Sequence, residues 1–92
     1  MLKITFTRQA NKYLDKLAKS SPDSVIIILA QAEALRQNPT PQNSLKLVNY
    51  PCYRVRVGNY RIIYEYDDER VYVVIIDKRE RAYKRLKSMY TL

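Results

Sequence analysis

The stretch CYRVRVGNYRIIYEY, residues 52–66, predicts two short antiparallel strands joined by a tight turn. Gly58-Asn59 is typical of a two-residue hairpin loop, and glycine in the first position favours a type II′ turn. This turn sets the register of the hairpin and places Arg56 directly opposite Arg61. The predicted pairs are Val57–Tyr60, Arg56–Arg61, Val55–Ile62, Arg54–Ile63 and Tyr53–Tyr64.

The side chains of a strand alternate between two sides, so this hairpin has an apolar face and a basic face. The apolar face is hydrophobic enough to carry helices and consists of Tyr53, Val55, Val57, Tyr60, Ile62 and Tyr64. The basic face consists of Arg54, Arg56, Arg61 and Ile63. Like charges directly opposite each other destabilise a sheet. One interpretation is a solvated face, on which solvent and Glu65 offset the repulsion between the arginines. The other is a phosphate-binding face, because a guanidinium contacts phosphate through two hydrogen bonds.

Length and charge limit the class of protein. The chain has 92 residues, which suit a single small domain over residues 1–92 with one modest core. Hydrophobic residues make up 47% of the chain, too many for a disordered segment. The net charge of +8 favours a polyanionic partner such as nucleic acid, with a basic soluble protein as the alternative.

Several kinds of site are excluded by composition. The chain has no histidine, which removes histidine zinc sites and Ser-His or Cys-His nucleophile pairs. Gly58 is the only glycine, so a glycine-rich phosphate loop is excluded. Cys52 is the only cysteine, which excludes an internal disulfide and suits a reducing cytoplasm. We predict no cofactor and no metal site.

The chain shows no targeting or membrane-spanning pattern. Its start, MLKITFTRQ, turns polar too early for the apolar core of a secretion signal. The longest apolar run, VIIILA at residues 25–30, is far shorter than a membrane span. The sequence therefore predicts a cytoplasmic protein with no membrane partner.

The first part of the chain predicts one strand and two helices. Residues 2–7 alternate as a half-buried strand, and residues 8–19 have the apolar spacing of an amphipathic helix whose charges face solvent. SPDS at residues 21–24 predicts a second helix start, with Ser21 as the cap. Its predicted core positions are Val25, Ile28, Leu29, Ala32 and Leu35. Ile26 and Ile27 point away from them, and burial by the sheet is favoured over contact with a partner.

The second part predicts four strands and a helix. The strands are expected at residues 45–47, 53–57, 60–66 and 70–76. Asp77 and Glu80 form a D-x-x-E pattern that predicts a capping box for a helix from Lys78 toward Leu86. The fold class is therefore α+β: a small antiparallel sheet with two N-terminal helices packed on one face and a short C-terminal helix.

The segment DKRER, residues 77–81, extends the basic cluster. A tight turn at residues 67–69 would place Ile76 beside Arg61 and bring Arg79 near Arg61. Tyr83 lies one helical turn after Arg79, on the same side of the predicted helix. Its ring either stacks on an unpaired base or packs against the sheet edge.

Residues 46–83, KLVNYPCYRVRVGNYRIIYEYDDERVYVVIIDKRERAY, resemble the RelE/ParE toxins of bacterial and archaeal toxin–antitoxin systems. The KRER segment followed by a tyrosine is similar to the RelE branch, whose members cleave mRNA in the ribosomal A site. The resemblance implies the same α+β fold and catalytic roles for Arg61, Arg79 and Tyr83. It also implies RNA contacts from Arg54, Arg56, Lys46, Lys78 and Arg81.

Two departures from the family pattern affect the expected mechanism. Arg54 and Arg56 stand where family members often carry lysines, and an arginine does not accept a proton at physiological pH. Tyr83 follows KRER after a shorter spacer. The general base is left open among Lys46, Lys78, Tyr83 and a group on the ribosome.

The implied partners are mRNA and the ribosome, a cognate antitoxin, and operator DNA only indirectly through the antitoxin complex. Exposed sheet edges and the terminal residues Met89, Tyr90 and Leu92 are candidate antitoxin contacts. Two alternatives stay open: a ParE-like inhibitor of DNA gyrase, and a non-catalytic RNA-binding homologue of the toxins.

Overall fold

The computed structural model describes residues 1–90, so the expected contact at Leu92 lies outside the described residues. Each element begins within one residue of its predicted start. In chain order the elements are β1 (Lys3–Phe6), α1 (Arg8–Ser20), α2 (Pro22–Ala34), β2 (Ser44–Lys46), β3 (Tyr53–Val57), β4 (Tyr60–Tyr66), β5 (Arg70–Lys78) and α3 (Arg79–Met89). The predicted α+β class is confirmed.

The five strands form one sheet in the order β1-β5-β4-β3-β2. Strands β2 to β5 are antiparallel neighbours, as predicted, but β1 pairs with β5 in parallel. The sheet is therefore mixed rather than wholly antiparallel. Periodicity in the sequence identifies which side of β1 is buried, but it carries no information on which strand lies beside β1 or in which direction.

The register predicted for the β3–β4 hairpin is confirmed at all five pairs, including Arg56 opposite Arg61. Gly58 has a φ angle of +58°, as the first position of a type II′ turn requires. Among residues 1–90, Asn49 is the only non-glycine residue with a positive φ, so Asn59 is not in the conformation of a type I′ turn.

A β-bulge changes the register between β4 and β5. Tyr64 pairs with Val73, but Ile63 pairs with Ile75, so Val74 is the extra residue. The prediction that Ile76 lies beside Arg61 is therefore wrong by one position, and Asp77 is the residue opposite Arg61. The bulge brings a carboxylate rather than an isoleucine to the basic face.

The core has two parts, one on each face of the sheet. On the apolar face, α1 and α2 cover residues that include Val55, Ile62, Tyr64, Val73 and Ile76. On the opposite face, α3 covers a smaller group that we call the α3 core. Its members are Cys52, Ile63, Val74, Ile75, Ala82 and Leu86. Because Ile63 belongs to the basic face, α3 buries part of that face.

Helix α2 buries only a narrow stripe of its surface. Ile28, Ala32 and Leu35 are buried, as predicted. Leu29 is exposed by 41%, and Ile26 and Ile27 are exposed by 66% and 57%, so the predicted burial of these three side chains is wrong. A helix lying on a sheet turns only one side toward it, and the remaining apolar side chains of α2 face solvent.

Both predicted helix caps differ in detail. Ser21 is the N-cap of α2, but its side chain makes no capping bond, and its hydroxyl lies 2.7 Å from the hydroxyl of Ser24. The capping box at α3 is wrong, because Lys78 is the N-cap and no side chain caps it. Asp77 belongs to β5, where pairing with β4 continues to Lys78.

Candidate nucleic-acid interface

Arg61 is a buried cation held by the hairpin turn. Its side chain is 6% exposed, and Nη1 donates to the carbonyl oxygens of Gly58 and Tyr60, each at 2.9 Å. Its Nε is buried and has no hydrogen-bond partner within residues 1–90. A buried donor without an acceptor costs about 1–3 kcal/mol, so this N–H is an energetic cost that the described residues do not offset.

Arg56 and Arg54 lie beside Arg61 on the basic face. Arg56 is exposed, and its side chain makes no hydrogen bond or ion pair with any described residue. Arg54 is half-buried, and its Nη1 lies 3.5 Å from the carbonyl oxygen of Asn43. The two side chains differ in availability, because Arg56 is free to bind an anion while Arg54 has a weak partner.

Asp77 is the residue that sequence reasoning missed. Its side chain is fully buried, and one carboxylate oxygen accepts a hydrogen bond from Arg85 Nε at 2.6 Å. The other oxygen accepts from the backbone N–H of Lys78 at 2.7 Å. Strand alternation alone places Asp77 on the wrong face, and only the bulge at Val74 turns it toward Arg61.

Glu65 does not act as a partner of the arginines. Its Oε2 accepts from the Tyr90 hydroxyl at 3.3 Å and lies 3.8 Å from the Cys52 thiol. Burial is the main cause that raises the pKa of this thiol. The carboxylate therefore joins the end of α3 to the sheet, and the charge of the basic face is left for other partners.

Arg79 begins α3 next to the hairpin turn. Its backbone N–H donates to the carbonyl oxygen of Asn59 at 2.9 Å, which extends the β4–β5 pairing into the turn. Its side chain is exposed and has no hydrogen bond or ion pair to residues 1–90. The backbone therefore brings Arg79 to the end of the sheet where Arg56 and Arg61 lie.

Tyr83 lies one turn after Arg79 and is half-buried. Its ring packs against the α3 core on the face of the sheet, rather than against the sheet edge, which is one of the two alternatives predicted from the sequence. The exposed portion of the side chain is the part open to a ligand. Stacking on a base therefore stays a prediction for this exposed portion.

The lysines predicted to contact RNA lie away from the basic face. Lys46 pairs with Tyr53, so it lies on the opposite face of the sheet from Arg54 and Arg56. Its Nζ donates to the carbonyl oxygen of Tyr50 at 2.5 Å and lies 5.7 Å from the Tyr53 ring centroid. Lys78 pairs with Tyr60 and is also on the apolar side, but it is exposed next to Arg79.

Metal-binding groups and membrane-spanning helices are both absent from the described residues. Within residues 1–90, no group of three His, Cys, Asp or Glu side chains is placed to hold a metal ion. The same part of the chain contains no helix with the length and apolar composition needed to cross a membrane.

Comparison with known proteins gives one family match. The family described as the ParE toxin of type II toxin–antitoxin systems, parDE, matches residues 4–83. No curated protein sequence matches the chain.

Solved toxin structures share the fold. In the RelE–RelB complex from Pyrococcus horikoshii, one chain is 26% identical, with a TM-score of 0.70 over 88% of this chain and 98% of that chain. The RelBE2 toxin–antitoxin complex from Mycobacterium tuberculosis gives 25% identity and a TM-score of 0.69, over 85% and 98% of the two chains. A mutant of Escherichia coli RelE in the free state gives 25% identity and a TM-score of 0.70, over 92% and 97%. These similarities confirm the predicted RelE-like fold.

Proposed function

The chain belongs to the ParE toxin family of type II toxin–antitoxin systems, within the RelE/ParE superfamily, and we propose that it is a toxin that cleaves mRNA on the ribosome. The observation that carries this proposal is the arginine cluster at one end of the sheet. Arg56 lies opposite Arg61 across the hairpin, and Arg79 joins the same turn through its backbone. Such a cluster suits the phosphate of a nucleic acid.

Arginines stabilise the step that cleaves RNA without a cofactor. The 2′-hydroxyl loses its proton and attacks the adjacent phosphorus, and the bond to the 5′-oxygen breaks as that oxygen takes up a proton. The products are a 2′,3′-cyclic phosphate and a 5′-hydroxyl end. In our proposal Arg61 neutralises the charge that builds on the phosphate oxygens, and Arg79 stabilises the leaving oxygen.

The arginines account for charge stabilisation and for positioning of the RNA, but the general base that takes the proton of the 2′-hydroxyl is less well defined. The Lys46 ammonium donates to the carbonyl oxygen of Tyr50, which makes it a poor candidate. Lys78 and Tyr83 are closer to Arg79 along the chain. We propose that Tyr83 orients the RNA and that the proton acceptor is Lys78 or a group on the ribosome. Positioning and charge stabilisation can supply much of a rate enhancement.

We also propose that a cognate antitoxin neutralises the protein in the cytoplasm, and that operator DNA is contacted only through the antitoxin complex. The similar structures from Pyrococcus horikoshii and Mycobacterium tuberculosis are toxin–antitoxin complexes. Exposed apolar side chains, which are typical of interaction surfaces, occur on α2 and at the end of α3. They include Ile26, Ile27, Met89 and Tyr90.

The first prediction tests the arginine cluster. We expect Arg79→Ala to lower mRNA cleavage roughly 100-fold, because removing one preorganised donor to a developing charge has an effect of that size. Arg61→Ala combined with Arg79→Ala should abolish cleavage. The measurement is mapping of mRNA 5′ ends after induction in growing cells, with purified ribosomes and a defined message as the biochemical counterpart.

Arg8→Ala is the matched control, because Arg8 is an exposed arginine of α1 away from the cluster. It should cleave like the parent protein. Thermal unfolding must accompany the test, since Arg61 is buried and bonded to the turn. If Arg79→Ala is folded and cleaves mRNA at the parent rate, the proposed site is wrong.

Inhibition of DNA gyrase is the second candidate function. The match to the ParE family favours it, as does the engagement of Asp77, the carboxylate opposite Arg61, with Arg85 and the backbone of Lys78. It predicts a DNA-damage response and inhibited supercoiling by gyrase, with no new mRNA 5′ ends. The same induction experiment therefore separates the two functions.

A further inference from the structure

A groove with basic walls runs along the edge of the sheet between α1 and α3. It consists of two adjoining cavities of about 200 and 220 Å³ that share Tyr13, Lys16 and Arg81. We call it the α1–α3 groove. The cationic side chains that line it are Lys12, Lys16, Lys78, Arg81 and Arg85.

The groove exists because β1 is shorter than β5. Pairing of β1 ends where Phe6 meets Val73, which leaves the outer edge of β5 open beyond that point. Gln9 then takes the place of a strand: its Nε2 donates to the carbonyl oxygen of Ile76 at 3.1 Å, and its Oε1 accepts from the N–H of Ile76 at 3.2 Å. This pairing fixes α1 along the edge of β5.

The position of Gln9 decides which lysines face the groove. Lys12 and Lys16 follow Gln9 at intervals of three and four residues, so they lie on the same side of α1. The sequence alone predicts that these lysines belong to a solvated helix face. The fold instead places them opposite the first turns of α3, which carry Arg81 and Arg85.

The cations of the groove are mostly uncompensated. Arg85 pairs with Asp77, but the side chains of Lys12, Lys16, Lys78 and Arg81 make no hydrogen bond or ion pair with residues 1–90. No carboxylate lines either cavity. Like charges confined in a groove repel one another and concentrate a positive potential, which attracts a polyanion.

Tyr13 adds a hydrogen-bond donor to this positive groove. Its ring packs edge-on against Tyr60, with 6.4 Å between the ring centroids. Burial is the main cause that raises the pKa of its hydroxyl, with Asp77 as a further cause. The hydroxyl therefore stays protonated at physiological pH and can donate to an anionic oxygen.

We propose that the α1–α3 groove binds the phosphate backbone of RNA, with Lys12, Lys16, Arg81 and Tyr13 as its contacts. The inference rests on the proposed function for the identity of its ligand. Lys78 and Arg81 are close to Arg79 in the chain, so the groove reaches the start of α3, where Arg79 of the arginine cluster lies. An RNA strand held at the cluster can extend into the groove, and ribosomal RNA is a second source of the same backbone.

An acidic segment of a protein is the competing ligand, and the composition of the groove disfavours it. Stable protein interfaces bury an apolar centre. Apart from Tyr13 and Leu17, the residues that line the groove are charged or polar, and Leu17 is only 8% exposed. Exposed apolar side chains lie instead on α2, at Ile26 and Ile27.

Paired charge removal on α1 tests the proposal. The test variant is Lys12→Ala with Lys16→Ala, and the matched control is Arg8→Ala with Lys19→Ala. Both remove two positive charges from exposed positions of the same helix, and neither Arg8 nor Lys19 lines the groove. The probes are a 20-nucleotide unstructured RNA, purified ribosomes and polyglutamate, each titrated over a series of salt concentrations.

We expect the test variant to bind RNA more weakly and with a shallower dependence on salt. Each lost phosphate contact reduces the slope of log K against log salt by about 0.7 for a single strand. Loss of affinity for the oligonucleotide indicates contact with the message strand, and loss for ribosomes alone indicates contact with ribosomal RNA. Both results support the groove as an RNA site.

Two results would overturn the proposal. One is an equal change in the test and control variants, which would mean that only net charge matters. The other is a selective loss of binding to polyglutamate, which would assign the groove to an acidic protein segment. Binding is measured without cleavage, so a protein that fails to cut mRNA can still show a groove that binds RNA.

Discussion

Arg61 and Asp77 show how much one residue can differ from its expected environment. Both the apposition of Arg56 with Arg61 and the excess of positive charge follow from the Gly58-Asn59 turn. The burial of Arg61 does not, because it depends on the packing of the folded chain, whereas its bonds to the carbonyl oxygens of Gly58 and Tyr60 are local. At this scale the sequence predicts the pairs that a tight turn sets, but neither the residue of β5 opposite Arg61 nor the burial of Arg61.

The Asp77–Arg85 pair gives a prediction at the residue scale. Arg85→Met should lower the free energy of unfolding by about 2 kcal/mol, because it leaves a buried carboxylate with only one backbone donor. The loss is smaller than for a fully buried pair because the Arg85 side chain is 48% exposed. Asp77→Asn in the Arg85→Met background should restore part of the stability, since no charge is then left unpaired.

Urea unfolding of the two single variants and the double variant measures this coupling. The Asp77→Asn variant alone serves as the control for the loss of the carboxylate. Asp77→Asn could lower the free energy of unfolding by the same amount in the Arg85→Met background as in the parent protein. In that case the two residues are not coupled and the ion pair contributes nothing.

At the scale of elements, the irregular features of β5 determine where the site forms. The bulge at Val74 reverses which side chains of β5 face α3, and the early end of β1 leaves an edge that Gln9 of α1 occupies. Strand and helix positions follow from periodicity, which explains why their bounds agree with expectation. A bulge inside a continuous apolar run, VYVVII, leaves no such periodic signal.

The β4–β5 turn gives a prediction at the scale of an element. Asp67 Oδ1 accepts the backbone N–H groups of Glu69 and Arg70 at 2.8 and 2.9 Å, and these bonds hold the pKa of Asp67 below its ordinary value. A lowered folded pKa adds stability above the unfolded pKa of about 3.9, and this stability is lost as pH falls through the folded pKa.

Asp67→Asn should therefore lower Tm at neutral pH, and the difference from the parent protein should vanish in acid. Asn keeps an acceptor oxygen, so the comparison isolates the charge. Asp68→Asn is the control, because Asp68 makes no hydrogen bond within residues 1–90. The measurement is thermal unfolding from pH 7 down to pH 2, and a Tm difference that persists unchanged in acid would contradict the prediction.

At the scale of the whole molecule, apolar and basic surfaces are separated. The exposed isoleucines lie on α2, which packs on the apolar face, while Arg56 and Arg79 lie at the hairpin end of the sheet. This separation suits a protein that binds a nucleic acid on one side and a protein partner on another. The VIIILA run, whose composition is typical of a buried segment, is accordingly only partly buried.

Substitution on α2 tests this distribution. Ile26→Thr with Ile27→Thr should change the free energy of unfolding by less than about 1 kcal/mol, because both side chains are mostly exposed. Ile28→Ala, one residue further, should cost about 3 kcal/mol, since Ile28 is fully buried. Chemical denaturation of both variants provides the comparison, and similar losses would mean that Ile26 and Ile27 are buried in solution.

The sequence by itself determined the order of elements, the register of the β3–β4 hairpin and the charge of its basic face. Each depends on interactions between near neighbours in the chain: turn geometry, strand alternation and helical spacing. Tertiary structure alone decided the parallel pairing of β1, the placement of Asp77 beside Arg61, the burial of Arg61 and the assembly of the α1–α3 groove. The pairing of β1 and the groove join residues more than 60 positions apart, and the placement of Asp77 depends on one inserted residue in β5. The burial of Arg61 depends on packing, and local periodicity carries no record of any of these.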